Sequence, residues 1–217
     1  MISALTLSEI RAQVRELIGW QVFDRLFFPN GSYDWTDAGI QWAQEQTACL
    51  MGLTRLNTQI AVGTAPSGLN NVVLPDDCIR VVACLFQTGV GTMGKVLLES
   101  TMKIEDEKNP NWKGNGNNAT AWVQQDGESI LLNGISPSGF VLVGYIQEPT
   151  AMVNDGDNPD PRIPPYFHQF LKYAAATYLL MLSGQGQNKE KASGFFDDFT
   201  TGLGVGKIPL ASVNVQR

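Results

Sequence analysis

Apolar residues recur every three to four positions at both ends of the chain and every second position between them, and this double change of period limits the folds open to it. Near the N-terminus Leu7, Ile10, Val14, Leu17 and Ile18 share one helix face. Thr6 or Ser8 can cap that helix, Glu9 sits in its first turn, and Gly19 favours a stop. After a loop through Pro29, Asn30, Gly31 and Ser32, Thr36 or Asp37 opens a second helix. Its stripe is Ile40, Ala43, Thr47, Leu50 and Met51, and it runs to about Leu53. Helical spacing returns at Tyr166 and continues through Phe170, Tyr173, Ala174, Thr177, Tyr178 and Met181. A Gly/Gln/Asn break at 184–188 separates this third helix from a fourth, expected from Lys189 to about Leu203.

The middle of the chain reads as strands. Residues 58–62 and 71–74 are short candidates separated by Pro66-Ser67-Gly68, and 95–99 is another. Residues 79–86 are apolar enough for a strand buried on both faces. A short helix is expected over 101–108 with Glu105, Asp106 and Glu107 exposed, then an Asn/Gly loop around Trp112. Residues 119–124 and 129–132 flank Asp126-Gly127, a hairpin signal, and 140–146 is the last strand. Pro149, Pro159, Pro161, Pro164 and Pro165 then stop regular structure. The expected fold class is α+β. The N- and C-terminal helix pairs, 1–56 and 163–203, form a four-helix bundle. An antiparallel β domain with a short helix, 57–162, is inserted in it, and 204–217 trails as an extended C-terminal arm.

The chain of 217 residues is 43% hydrophobic and 17% charged, enough for a proper core. Its formal charge is −6, and its 15 basic residues are scattered singly. That disfavours a surface that grips duplex DNA, which needs clustered cations, while like charge lets DNA pass without sticking. Cys49, Cys78 and Cys84 lack metal or redox spacing and have apolar neighbours, so they read as buried reduced thiols. No secretory pattern opens the chain, and the apolar stretch at 166–182 is too short and mixed for a bilayer span. The expectation is a chain made in a reducing cytoplasm with no membrane partner.

The candidates for chemistry are sparse. The single histidine, His168, opens a helix with no nucleophile or ligand pattern beside it, so a capping or core-edge role outweighs catalysis. Gly89-Val90-Gly91-Thr92-Met93-Gly94 matches GxGxxG but sits between two strands and reads as a turn. Residues 202–208, rich in glycine, lack the spacing of a phosphate loop and read as a flexible exit from the last helix. Asp155, Asp157 and Asp160 could hold a calcium ion, but the remaining ligands of a calcium loop are missing and a solvated loop is the better reading. Glu99, Glu105, Asp106 and Glu107 read as a charged helix face, and Trp112, Trp122, Phe140 and Tyr145 as core aromatics rather than a stacking platform. No catalytic residue, metal ligand or cofactor site is assigned.

Several segments in fixed order carry a resemblance: TLSEIRAQVRELIG, then WTDAGIQWAQEQTACLMGLT, in which water-exposed Gln and Glu alternate with apolar residues. VVLPDDCIRVVACLF, LLESTMKIEDEKNPNW, FVLVGYIQEPT, IPPYFHQFLKYAAATYLL and ASGFFDDF follow. Over roughly residues 5–203 this order resembles the head-to-tail adaptor (connector) proteins of tailed bacteriophages, in their larger form with a β domain inserted in a helical bundle. The resemblance implies a structural, non-enzymatic subunit of the virion's head–tail junction, assembled in the host cytoplasm. It implies a homo-oligomeric ring on the order of twelve copies. Such a ring docks on the portal protein, meets a tail or nozzle protein below, and surrounds genomic DNA without binding it specifically. It also implies a portal-docking arm, here Ile208, Pro209, Leu210, Val213 and Val215, whose alternation suits addition to a partner's sheet edge. The alternative is a β domain that serves a tail or capsid decoration as a ligand- or receptor-binding module.

Overall fold

A computed structural model describes residues 4–28, 31–61, 63–64, 70–87, 94–108, 110–112, 119–124, 128–134, 140–182, 188–206 and 208–210. The Pro66-Ser67-Gly68 loop, most of the GxGxxG string, the Asp126-Gly127 turn and residues 183–187 lie outside the described residues. The chain divides into two compact units, Met1–Leu53 with Pro149–Arg217, and Thr54–Glu148. The proline-rich segment from 149 onward therefore clusters with the helices, whereas the composition of the sequence assigns it to the strands.

In the helical unit, α1 (Leu7–Ile18) begins with a capping box. Glu9 N–H donates to Thr6 Oγ1 at 3.4 Å, and the Thr6 amide donates to Glu9 Oε2 at 2.7 Å. Gly19, at φ 99°, breaks the helix without ending helical structure, because α2 (Trp20–Leu26) starts directly after it. This second helix buries only Phe23, too weak a stripe to read from sequence. α3 (Asp34–Met51) ends on Gly52 in the left-handed region at φ 62°, a conformation only glycine adopts freely. After a 3₁₀ turn at Pro165–Phe167 come α5 (His168–Met181) and α6 (Lys189–Gly202), the latter capped by Asn188.

The helix α5 is the centre of this unit, packed against α1, α3 and α6. Its buried Ala174, Ala175, Ala176 and Thr177 let neighbours approach closely. A Cβ on Gly39 of α3 would lie 3.2 Å from the Ala175 carbonyl oxygen. A Cβ on Gly202 of α6 would lie 2.2 Å from the Phe170 ring. Around these contacts Leu7, Ile10, Val14, Phe23, Ile40, Trp42, Leu171, Leu179, Phe196 and Phe199 form one apolar cluster. Gln44 and Glu45, expected in water, are buried instead, since α3 is enclosed on more than the face its apolar stripe marks.

The second unit is an eight-stranded sheet in the order β1-β8-β4-β5-β6-β7-β3-β2. The strands are β1 (Thr54–Ala61), β2 (Gly63–Thr64), β3 (Asn70–Val73), β4 (Cys78–Gln87), β5 (Lys95–Glu99), β6 (Ala121–Gln124), β7 (Ser129–Leu132) and β8 (Phe140–Gln147). Pairing is antiparallel among the described strands except for β5 with β6, which run parallel. The crossover that a parallel pair requires is supplied by α4 (Met102–Lys108). β1 and β3 touch, so the sheet curls. Val72, Val81, Cys84, Phe86, Leu97, Trp122, Ile130, Leu132, Val141, Val143 and Tyr145 fill the inside. β4 was expected to be buried on both faces; it alternates, with Val81, Cys84 and Phe86 inside and Val82 in solvent. A second, small cluster of Trp112, Val123, Leu131 and Met102 covers the outside of β6 and β7.

Candidate interaction surfaces

His168, Cys84, the acidic-loop carboxylates and Glu105 each have a structural occupation. His168 is buried, and its Nε2 lies 2.9 Å from the Ile163 carbonyl, so Nε2 carries the proton and donates. Burial holds its pKa below the usual imidazole range, against an opposing push from that hydrogen bond. Burial raises the Cys84 thiol to about 12 and the Cys78 thiol to about 11, which keeps both protonated and unreactive. Cys49 and Cys78 are only half-buried. Among the described residues no group of three or more His, Cys, Asp or Glu could hold a metal ion.

The acidic loop is neither a calcium cradle nor merely solvated, because its three carboxylates have three separate tasks. Asp155 pairs with Arg11 of α1. Asp157 Oδ2 accepts the Val153 and Asn154 amides at 2.8 and 2.7 Å. Asp160, buried, accepts from the Thr150 and Arg162 amides, each at 2.9 Å, and from the Arg162 guanidinium at 2.8 Å. Its own amide donates to Gln44 Oε1 at 2.8 Å. Burial alone would raise the Asp160 pKa; these hydrogen bonds and the Arg162 charge outweigh it and bring the value down to about 2. The loop also serves α1 directly: the Leu7 and Ser8 amides, orphans of the first helical turn, donate to the carbonyls of Asp157 and Asp155.

Glu105, expected on an exposed face, is buried. It accepts from Ser100 Oγ at 2.6 Å, Asn133 Nδ2 at 2.8 Å and Lys108 Nζ at 3.1 Å. Asn133 Oδ1 in turn accepts the Thr120 and Ala121 amides, which ties α4 to the ends of β6 and β7. Burial pushes this carboxyl up, and its three donors more than reverse that, leaving the pKa lowered.

A third polar clasp joins two segments far apart in sequence. The Asp77 carboxylate accepts from Tyr145 Oη at 2.9 Å and Gln147 Nε2 at 2.5 Å, while the Glu148 amide donates to the Asp77 carbonyl at 2.7 Å. Leu74-Pro75-Asp76-Asp77 before β4 and Tyr145-Ile146-Gln147-Glu148-Pro149 at the end of β8 are thus one structural feature.

With the polar groups committed in this way, a family model for SU10 adaptor protein matches residues 5–215. The chain belongs to the SU10 adaptor protein family. No curated protein matches it. The match spans both units and includes the Asp77 clasp and the Asp160 hub. As an SU10 adaptor the protein is a structural adaptor of bacteriophages, and what such a protein uses is surface.

Three surfaces of this SU10 adaptor stand out. In the helical unit Trp20 and Trp35 are 61% and 53% exposed. Arg15 stacks over the Trp20 ring at 4.1 Å and pairs with Asp24 at 2.6 Å, and Arg11 lies over Tyr33 at 4.4 Å while both Asp37 oxygens accept from it. Arg11, Arg15, Trp20 and Tyr33 border a shallow cavity of about 160 Å³. The sequence held one clue to Arg11: it shares the buried face of Leu7, Ile10, Val14 and Ile18. On the β unit Val73, Val82, Val96 and Leu98 are exposed. The third surface is the arm. Ile208 and Leu210 are half-buried against the helical core, Pro209 is exposed, and Val213 and Val215 lie outside the described residues. No helix among the described residues is long and apolar enough to cross a membrane.

Proposed function

We propose that this adaptor forms a ring that joins the phage portal to the tail and surrounds the DNA exit channel. The observation that carries the reading is the family match over residues 5–215, nearly the whole chain. Exposed tryptophans and valines on both units support it, because aromatic and aliphatic side chains in water are what subunit contacts cover. The formal charge of −6 supports passage of DNA through the ring without specific binding. The portal-docking arm is Ile208, Pro209, Leu210, Val213 and Val215. Ile208 and Leu210 fix its base to the helical core. Val213 and Val215 then add to a sheet edge of the portal. The tail or nozzle protein docks below, and the complex sits at the head–tail junction after assembly in the host cytoplasm.

The test combines electron microscopy of the purified chain with co-sedimentation on isolated portal. Rings alone or on the portal are expected, and deletion of residues 211–217, which leaves Ile208 and Leu210 in place, should abolish portal binding while the fold persists. Undiminished portal binding by the truncated chain would sink the arm, and the absence of rings in both settings would sink the ring.

A further inference from the structure

We infer that neighbouring copies in the ring meet through two opposite sides of the curled β unit, with the β4–β5 face of one copy seated against the β3 face of the next. The inference rests on the ring reading and names which surfaces close it.

Both faces follow from strand alternation. On β5, Leu97 points into the core and Val96 and Leu98 point out, 64% and 70% exposed. Val96 pairs across the ladder with half-buried Leu85 of β4. The register irregularity between Val81 and Ala83 turns Val82 outward on the same strand. On β3, Val72 is fully buried, as is Leu74 just beyond the strand, and Val73 between them is 66% exposed. The outer apolar stripe on β6 and β7 is roofed by Trp112 and Met102. Its continuation on β5 and β4 stays in solvent.

The two faces lie on opposite sides of one curl. From β5 the sheet order passes β6 and β7 before reaching β3, and from β4 it passes β8 and β1, which touches β3. Whichever way the curl is followed, β3 is three strand steps away. Their charges are also complementary. Exposed Arg80, two positions before Val82 on β4, flanks the β4–β5 face, whereas exposed Asp76 lies just beyond the end of β3 and exposed Glu128 adjoins Ser129, the ladder partner of Val73. Two unlike patches on opposite sides of one unit make a heterologous contact, the type that repeats head to tail and closes as a ring. A self-complementary patch would stop at a dimer.

The test uses the full chain, with Val73→Lys as one variant and Val96→Glu/Leu98→Glu as another, followed by sedimentation velocity and native mass spectrometry. Each variant alone should self-associate at least about tenfold more weakly than wild type, because an apolar contact is lost and like charges are added. Mixed together they retain one good interface, the β4–β5 face of the first against the β3 face of the second, and should form heterodimers that grow no further. Wild-type rings that persist in both variants overturn the surface assignment and leave the ring reading intact. A single variant that closes into dimers overturns the head-to-tail pairing. A wild-type chain that never associates, alone or on portal, removes the ring reading itself. All three positions are exposed, so thermal melting is expected to match wild type; should either variant melt early, Val73→Ser and Leu98→Ser put the same question with smaller changes.

Discussion

Asp160 should carry a measurable, pH-dependent share of the stability of the helical unit. Its carboxylate collects two backbone amides and the Arg162 guanidinium while buried, and its pKa lies at about 2 against 3.8 for a free carboxyl. That gap corresponds to about 2 kcal/mol. The folded state lowers this pKa, so the unfolded chain takes up the proton first as pH falls. The contribution is therefore complete above about pH 5 and is mostly lost as pH drops from about 4 towards 2, with about half remaining at pH 3. Asp160→Asn keeps the shape but turns an NH₂ group towards donors, at a cost of about 2–3 kcal/mol at neutral pH. For a chain of this size that lowers the melting temperature by roughly 5–10 °C. Circular dichroism melts of both proteins at pH 7 and pH 3 decide the matter. A gap of equal size at the two pH values would show that packing rather than charge is responsible, and no gap at pH 7 would refute the role of the hub altogether.

Three further outcomes follow from the same geometry. Tyr145→Phe deletes the 2.9 Å bond to Asp77 and should destabilise the β unit by about 1 kcal/mol, read as a lower denaturant midpoint with an unchanged slope; a midpoint equal to wild type would refute the clasp. His168 is the only histidine, so its NMR titration is unambiguous: it should titrate below 6.5, and stability should fall as pH drops through that value, because the unfolded chain binds the proton more readily. An apparent pKa at or above 6.5 would contradict its burial. Gly202→Ala forces a Cβ to within 2.2 Å of Phe170 and should cost about 1–3 kcal/mol in a thermal melt, whereas wild-type stability would mean that the ring moves freely.

The elements with a strong local signal were legible in the sequence. α1 was readable from its capping box and stripe, α6 from its start at Lys189, and β5 over 95–99 because alternation and flanking residues agree. What escaped depends on partners distant in the chain. Glu105 looks like any charge on a short helix until Asn133, twenty-eight positions on, supplies a donor. Gln44 and Glu45 read as solvent-facing because nothing local announces that the 149–163 loop lies over α3. The parallel β5–β6 pair was hidden by a hairpin-like run of strands, since a seven-residue helix is a weak crossover signal. For the interaction surfaces, the alternation that placed Leu97 inside also placed Val96 and Leu98 outside, but only the strand order shows that Val73 stands opposite them.

The split of the helical unit between the two ends of the chain has a consequence during synthesis. The β unit is continuous from Thr54 to Glu148 and can close as soon as it leaves the ribosome. α1, α2 and α3 are made before it, yet the helix they need, α5, is not finished until Met181, and α6 comes later still. At common translation rates, the 34 residues between the end of β8 at Gln147 and the end of α5 at Met181 take about 2–7 s to make. Through that interval the stripe of Leu7, Ile10, Val14 and Ile40 has no α5 to pack on. The insertion thus sets an order of events: strands first, helices last, with the N-terminal helices the segment most in need of protection by a chaperone while they wait.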